Sequence, residues 1–267
     1  MIIDGRKIAN DLLEQLKARR SSIPGPVRLG IVVAPGDPVI ESFVRIKSKI
    51  AGDLDIEMVR LDMEEPTTEA AMALVRKFKY DESIDGFIVQ LPMPEHVDVN
   101  AVLSEVPMEK DIDGINPFTR ETERLVRAPV ALAVQEILNR EAVQVEGARV
   151  VVMGAGRLVG LPTAALLREL GAIVSMFTLT EGRVEDFKDA DIVVLGAGQP
   201  HFVKPEHLKE GVVVIDAGTS ETAGVIQGDA DPACADIARV FTPVPGGVGP
   251  IAVAMIFKNI LDLKERS

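Results

Sequence analysis

Short apolar runs rich in β-branched residues alternate with segments of helical periodicity along the chain. The runs predict strands at residues 29–34, 57–61, 86–91, 149–153, 173–177, 192–195 and 212–216. Helices are predicted between them, at residues 7–20, 38–54, 68–78, 130–140 and 161–170, with a last helix at 250–264. Strands that alternate with helices are typical of an α/β fold with parallel sheets. A gap without strong strands, residues 110–145, predicts a boundary between two domains.

Composition narrows the function classes. The chain has 267 residues, with 41 acidic and 29 basic side chains and a net charge of −12. Without a basic block, binding to nucleic acid or to anionic membranes is not expected. The only cysteine, Cys234, cannot form an intrachain disulfide or a thiolate metal site. With a single cysteine, no apolar span and no signal-like start, we expect a cytoplasmic protein. Because no second cysteine exists and no histidine lies near the acidic motif residues, we expect no metal site.

A glycine-rich turn follows the strand predicted at 149–153. It contains Gly154, Ala155, Gly156, Arg157 and Gly160, and a helix comes next. Glycines let the backbone approach a pyrophosphate, and the helix N-terminus offers unpaired N–H groups, so the turn predicts a dinucleotide site. Tight packing alone is the alternative explanation for such a turn.

Recognition of the ribose is left open by the sequence. The second strand of this half is followed by Thr178 rather than by an acidic residue, and Glu181 comes only later. Arg157 suits either a 2′-phosphate or a solvated helix end. The sequence therefore does not decide between NAD and NADP.

The helix predicted at 38–54 carries a lysine on its apolar face. The stripe at steps of three and four consists of Ile40, Phe43, Val44, Lys47, Ile50, Ala51 and Leu54. A lysine in this position extends its ammonium group to solvent, pairs with an acidic group, or lies in a pocket. In a pocket, burial and the nearby Arg45 and Lys49 would lower its pKa toward a value useful for proton transfer.

Two further polar sites follow in the N-terminal half. Gln90 ends a strand before Leu91 and Pro92, and its amide can orient a substrate or hold a neutral lysine, or simply bond a loop. Asp111 and Asp113 flank one residue and are expected on the same side of an extended segment. There they suit a diaminopyrimidine-like edge, a metal or a turn cap.

These residues lie within motifs that resemble the bifunctional methylenetetrahydrofolate dehydrogenase/methenyltetrahydrofolate cyclohydrolase family over nearly the whole chain. The motifs occupy residues 42–47, 89–92, 110–114, 159–162 and 242–250. The resemblance implies a folate-binding domain at 1–122, to which residues 248–267 return, and a Rossmann domain at 123–247. It also implies an active cleft between the domains and a homodimer.

The family's functional residues can be assigned to the matching positions of this chain. The resemblance implies catalytic roles for Lys47, Gln90 and Asp113. It implies a folate site of Phe43, Lys47, Gln90, Leu91, Pro92, Asp113, Gly247, Gly249 and Pro250. The implied NAD or NADP site comprises Gly154, Ala155, Gly156, Arg157, Gly160, Thr178 and Thr219. The implied reactions are hydride transfer from methylenetetrahydrofolate to the nicotinamide, followed by hydrolysis of the methenyl product to formyltetrahydrofolate.

The chain departs from the family pattern at four places. Phe43 replaces a tyrosine, so the ring remains but the hydroxyl that assists the lysine is absent, which leaves the hydrolysis open. Ala155 and Gly156 replace an arginine and a serine of the phosphate turn. Residues 127–129 replace a Pro-Cys-Thr-Pro segment. Thr219 and Ser220 replace Ile-Asn.

Two other functions share features of this sequence. A shikimate-dehydrogenase-like oxidoreductase shares the two-domain plan but does not account for the Pro/Gly-rich run at 242–250. A non-catalytic protein that binds folate or nucleotide would have no reason to keep Lys47 at a position where burial is unfavourable.

Overall fold

A computed structural model describes residues 1–182, 184–222 and 225–266. The chain divides into two compact units. The first unit comprises Met1–Asp11 and Ala128–Met255, and the second comprises Leu12–Arg127 and Ile256–Ser267. Each unit contains a parallel sheet whose strands are linked by helices, so the predicted α/β fold is confirmed.

The described elements have the following bounds. The strands are β1 (Arg28–Val33), β2 (Glu57–Asp62), β3 (Gly86–Val89), β4 (Arg149–Met153), β5 (Ile173–Phe177), β6 (Ile192–Leu195), β7 (Val213–Asp216), β8 (Ser220–Thr222), β9 (Val225–Gln227) and β10 (Val240–Phe241). The α-helices are α1 (Gly5–Ser22), α2 (Pro38–Asp53), α3 (Thr68–Tyr80), α4 (Val99–Ser104), α5 (Pro129–Arg140), α6 (Gly160–Glu169) and α7 (Val248–Lys264).

The second unit is built on a three-stranded parallel sheet in the order β2-β1-β3. β1 pairs with both neighbours and is buried after its first residue, as a central parallel strand must be. α2 begins where the sequence predicts it, because Pro38 suits a first helical turn and the Asp37 carboxylate accepts hydrogen bonds from the N–H groups of Val39 and Ile40. α2 therefore starts directly after the carboxyl end of β1.

The first unit is built on a five-stranded parallel sheet in the order β10-β7-β6-β4-β5. From β4 the chain passes to β5 on one side and then to β6 on the other. The strand order thus reverses between β4 and β6. In open parallel sheets, ligands bind outside the carboxyl ends of the strands at such a reversal.

The strongly patterned elements agree with the sequence prediction within a few residues. The helix α4 and the strands β8, β9 and β10 were not predicted. They have two to six residues each, which is too short for a hydrophobic period to be visible. Within the described residues, no helix is long and apolar enough to cross a membrane.

Candidate active site

Lys47 lies on the buried face of α2, as its place in the apolar stripe predicted. The side chain is 8% exposed, among Ile40, Val44 and Ala51 of the same face. Burial lowers the pKa of Lys47 below its usual value, and the charge of Asp113 acts in the opposite direction. A lowered pKa makes the neutral amine, which is the form that can accept a proton, more accessible than in a solvated lysine.

Gln90 is the hydrogen-bond partner of this lysine. Nζ of Lys47 donates to Oε1 of Gln90 at 2.6 Å, and Nε2 of Gln90 donates to the carbonyl oxygen of Leu91 at 2.7 Å. The second bond fixes the amide so that its oxygen faces the lysine. Because the amide is neutral, it orients Lys47 without the strong preference for the charged form that a carboxylate would give.

Asp113 completes the cluster, whereas Asp111 does not belong to it. Burial raises the pKa of Asp113 to about 6, with Lys47 lowering it and Asp111 raising it. Asp111 accepts hydrogen bonds from the N–H groups of Ile115 and Asn116 and lies 3.6 Å from the guanidinium group of Arg124.

The sequence therefore correctly left a turn cap open for Asp111, but the expectation that both carboxylates face one ligand is wrong. The segment is a turn rather than an extended strand, and backbone N–H groups occupy Asp111. Within the described part of the chain, no hydrogen bond reaches the carboxylate of Asp113, so it remains available to a ligand.

Phe43 lies one helical turn before Lys47, and the structure places it differently from the expectation. The apolar stripe predicted an inward ring, but Phe43 is 41% exposed while Val44 is buried. Residues four apart share a helix face, so the ring lies beside Lys47 at the edge of the stripe. Leu91 is half-buried, Pro92 is exposed, and a cis peptide bond joins them.

The glycine turn of the first unit lies at the strand-order reversal, directly after β4. Gly154 has φ +104°, and a Cβ there would lie 2.3 Å from the carbonyl oxygen of Gly196. A Cβ at Gly160 would lie 1.7 Å from the carbonyl oxygen of Gly154. Close packing thus requires glycine at both positions.

Gly156 differs from the other two, because a Cβ there would meet nothing within 4 Å. Ala155 and Gly156 are exposed, and the residue before α6, Val159, makes no side-chain cap. Packing alone therefore does not account for the whole turn. An open, side-chain-poor cradle at an uncapped helix N-terminus fits a dinucleotide pyrophosphate.

The remaining predicted dinucleotide residues lie at the same edge of the sheet. Arg157 is half-buried in the turn, and Thr219 is exposed after β7. Thr178 follows β5, and its hydroxyl donates to a carboxylate oxygen of Glu181 at 3.0 Å. The acidic group that the sequence did not find directly after the strand thus lies three residues later, bonded to Thr178.

Gly247, Gly249 and Pro250 belong to the first unit. Gly247 precedes α7, and its N–H group donates to the carbonyl oxygen of Pro243 at 2.8 Å. A Cβ at Gly247 would lie 2.6 Å from the same oxygen, so the turn requires glycine there. Gly249 and Pro250 lie in the first turn of α7, which begins at Val248, two residues earlier than predicted.

Several buried polar residues were missed by the sequence analysis. Asn259, fully buried on α7, donates from Nδ2 to the carbonyl oxygens of Ile112 and Arg127, both at 2.8 Å. It therefore anchors the segment that carries Asp113, and a single amide within an apolar helix was the signal. Asp216 and Asp229 were also missed. The only signal in the sequence is a nearby glycine: Gly218 lies two residues after Asp216, and Gly228 lies directly before Asp229.

The described residues contain no group of three or more His, Cys, Asp or Glu side chains that could hold a metal ion. Two features define the class of protein. One unit has an open glycine turn at the strand-order reversal of a parallel sheet, where dinucleotides bind, and the other has a buried lysine beside an amide and a carboxylate. Together these features indicate a dinucleotide-dependent enzyme of two α/β domains.

Comparisons with known proteins identify the particular family. Residues 3–113 match the tetrahydrofolate dehydrogenase/cyclohydrolase catalytic domain, and residues 128–267 match the NAD(P)-binding domain of the same name. The chain belongs to the tetrahydrofolate dehydrogenase/cyclohydrolase family. The family predicted from the sequence motifs is therefore confirmed, as are the enzyme class and the cofactor class of NAD or NADP.

Similar proteins span the same length. The bifunctional protein FolD of Halothermothrix orenii is 37% identical over 99% of this chain and 98% of its own. The structure of the Campylobacter jejuni FolD enzyme has a TM-score of 0.91 at 27% identity, covering 100% of this chain and 99% of its own. The Trypanosoma brucei FolD structure, complexed with NADP and an inhibitor, has a TM-score of 0.90 at 32% identity, covering 100% and 97%.

The two alternative functions are not favoured. Both matching domain descriptions name tetrahydrofolate enzymes, and neither names a shikimate dehydrogenase or a protein without activity.

Proposed function

We propose that this protein oxidises methylenetetrahydrofolate with NAD or NADP and then hydrolyses the methenyl product to formyltetrahydrofolate. The observation that carries the proposal is the buried Lys47, bonded to Gln90 and interacting with Asp113, in a unit that also presents an exposed ring at Phe43. In this proposal, the unit at Leu12–Arg127 binds the folate, and the unit at Ala128–Met255 binds the dinucleotide.

Folate binding rests on complementary chemistry. The amino-pyrimidine edge of a reduced pterin carries N–H donors, and the carboxylate of Asp113 is a free acceptor. The pterin ring is flat, and Phe43 offers an aromatic face one turn from Lys47. We assign Leu91, Pro92, Gly247, Gly249 and Pro250 to the same folate site by resemblance.

The oxidation depends mainly on alignment. When bound, the nicotinamide accepts a hydride from the one-carbon bridge, which leaves a methenyl cation. This step needs no proton transfer from the protein, so the protein's contribution is to hold the two reactants at a reactive distance. We assign Gly154, Ala155, Gly156, Arg157, Gly160, Thr178 and Thr219 to the dinucleotide.

The hydrolysis needs proton transfer, and Lys47 is placed for it. The oxygen of a water molecule bonds to the methenyl carbon, and neutral Lys47 takes the proton that the water loses. The C–N bond to one ring nitrogen then breaks, that nitrogen receives the proton held by Lys47, and the remaining hydroxyl proton is released to solvent as the C=O bond of the formyl group forms. Gln90 keeps Nζ of Lys47 directed at the reacting carbon throughout.

A two-part assay tests the proposal. The purified protein receives methylenetetrahydrofolate with NAD in one reaction and with NADP in another, and the absorbance of the reduced nicotinamide is followed. Methenyltetrahydrofolate without a dinucleotide is the second substrate. We expect reduction of at least one dinucleotide and loss of the methenyl absorbance; no reduction of either one would contradict the dehydrogenase function.

We also propose that the protein acts in the cytoplasm as a homodimer. The single cysteine suits a reducing compartment, and the dimer is implied by the family resemblance. Light scattering coupled to size-exclusion chromatography should give twice the chain mass of 28.7 kDa. A mass of one chain at micromolar concentration would contradict the dimer.

A further inference from the structure

Two aspartates that the proposed reactions do not use are buried together in the first unit. Asp216 ends β7 and Asp229 follows β9, and each is 1% exposed. A Cβ at Gly218 would lie 2.3 Å from the carboxyl carbon of Asp229, and a Cβ at Gly228 would lie 2.2 Å from Oδ2 of Asp216. Each carboxylate therefore packs on a glycine of the other's segment.

The carboxylate of Asp229 binds the loop that follows β6. Its Oδ2 accepts from the N–H groups of Ala197 at 2.6 Å and Gly198 at 3.2 Å, and its Oδ1 accepts from the N–H group of Gln199 at 2.8 Å. Burial raises the pKa of Asp229, and these three N–H groups lower it. Three donors on one carboxylate hold the loop at residues 196–199 in one conformation.

The same loop contacts the glycine turn on its other side. The N–H group of Gly196 donates to the carbonyl oxygen of Met153 at 2.9 Å. A Cβ at Gly154 would lie 2.3 Å from the carbonyl oxygen of Gly196 and 3.0 Å from the nitrogen of Ala197. The loop thus lies between Asp229 and the turn after β4, at the reversal of strand order where an open parallel sheet binds its ligand.

Asp216 supports Asp229 from the neighbouring strand. Its Oδ2 accepts from the N–H group of Ala230 at 2.8 Å, and its Oδ1 accepts from that of Gly218 at 2.9 Å. Its own N–H group donates to Oγ1 of Thr242 at 2.6 Å. The backbone on the C-terminal side of Asp229 is therefore fixed to β7.

We propose that Asp229 is a positioning residue for the dinucleotide, whose carboxylate holds the loop at 196–199 against the glycine turn and so sets the width of the dinucleotide crevice. The inference rests on the proposed function, since it assumes that a dinucleotide binds there. A residue that served only the stability of the unit would change the unfolding temperature without a selective change in dinucleotide affinity.

The variant Asp229→Asn tests the inference. Asparagine has one acceptor oxygen, and its NH₂ group would face a backbone N–H donor, so the loop loses at least one bond. We expect the Kd for the reduced dinucleotide, measured by its own fluorescence in the absence of folate, to rise about tenfold or more. The Kd for a folate substrate, measured without dinucleotide, should stay within about twofold.

The matched control is Asp231→Asn. Asp231 is two residues away, and among the described residues its carboxylate accepts only from the N–H group of Ala233, at 2.9 Å, at the start of the short helix Pro232–Asp236. We expect this variant to bind the dinucleotide like the wild type. Equal affinities in folded Asp229→Asn and the wild type would overturn the inference.

A measurement on the unaltered protein guards against a variant that fails to fold. Hydrogen exchange should be slow at the amides of Ala197 and Gln199, although both follow a strand rather than lie in one. Exchange as fast as in an unstructured peptide would overturn the inference. A wild-type protein that binds neither NADH nor NADPH would refute the proposed function instead, together with any inference that depends on it.

Discussion

Both units bury ionisable side chains near the carboxyl ends of parallel strands, but the two clusters treat those groups differently. In the second unit, Nζ of Lys47 donates to one neutral acceptor, and within the described residues no hydrogen bond reaches the carboxylate of Asp113. In the first unit, backbone N–H groups bind both oxygens of Asp216 and both of Asp229.

The difference indicates what each cluster is for. Burial raises the pKa of Asp113 to about 6 and that of Asp216 to about 7, so a displaced pKa does not by itself separate the two sites. The two clusters differ in whether an oxygen lone pair or an N–H proton remains without a hydrogen-bond partner. Asp113 and Lys47 have such capacity, which proton transfer and ligand binding require, whereas the bonded aspartates can only hold the backbone.

Replacing Lys47 should give the largest effect on this comparison. Lys47→Met keeps the length and apolar stem but removes the base, so we expect hydrolysis of methenyltetrahydrofolate to fall by about 10² to 10⁴. Lys49→Met, an exposed lysine on the same helix, is the control and should keep full activity. If Lys47→Met hydrolyses its substrate at the rate of Lys49→Met, the free amine is not the acting base.

Asp113→Asn should have the next largest effect. The neutral amide loses the charge-assisted bonds to the pterin, so we expect the folate KM to rise about tenfold or more. In the wild type, folate binding should weaken as the pH falls through about 6, because protonation removes an acceptor.

The same titration distinguishes Asp113 from its neighbours. The acidic limb of the binding profile, measured by calorimetry between pH 5 and pH 8, should disappear in Asp113→Asn. An unchanged limb in the variant would assign that titration to another group.

Asp216, which does not bond the loop after β6, should affect stability rather than chemistry. The folded-state pKa of Asp216, about 7, is above the unfolded value, so the folded form binds the proton more tightly. The stabilisation from this group is therefore present at low pH and is lost as the pH rises from about 4 through 7.

Asp216→Asn, which cannot ionise, isolates this contribution. Between pH 5 and pH 8, the wild type should lose on the order of 2 kcal/mol in free energy of unfolding relative to the variant. Urea titrations at each pH would measure it. A stability difference that does not vary with pH would contradict the raised pKa and weaken the contrast between the two clusters.

The smallest effect is expected at Phe43. Phe43→Tyr adds a hydroxyl one helical turn from Lys47, where it can assist the lysine, so hydrolysis of methenyltetrahydrofolate should rise several-fold, by about 1 kcal/mol or less in barrier height. The oxidation should not change. Equal or slower hydrolysis in the variant would show that the missing hydroxyl does not limit this step.

Much of the second unit's site could be predicted from local patterns. Lys47 falls at a helical step between Val44 and Ala51, so periodicity places it on the apolar face of α2, whereas the burial of its ammonium group is shown only by the structure. Gln90 ends a strand, so its position at the sheet edge also follows. The exposure of Phe43 could not be predicted, because it depends on where the neighbouring elements stop covering α2.

The different roles of Asp111 and Asp113 lay beyond sequence patterns as well. Two carboxylates two residues apart look equivalent in an extended segment. In the folded chain, a turn directs the N–H groups of Ile115 and Asn116 at Asp111 and none at Asp113. Which of two similar carboxylates stays free is decided by backbone geometry around them.

The sequence by itself determined the two-domain α/β plan, the glycine turn, the family and the candidate lysine, since each depends on residue type at short, regular spacing. Only the tertiary structure brought Asp216 and Asp229 together and showed that Asp229 holds the loop after β6. The bonds from Asp229 to that loop join residues 30 and 32 positions apart, and the bond from Ala230 to Asp216 joins residues 14 apart. All of them use backbone N–H groups, which every residue except proline carries, so no residue pattern marks them in advance.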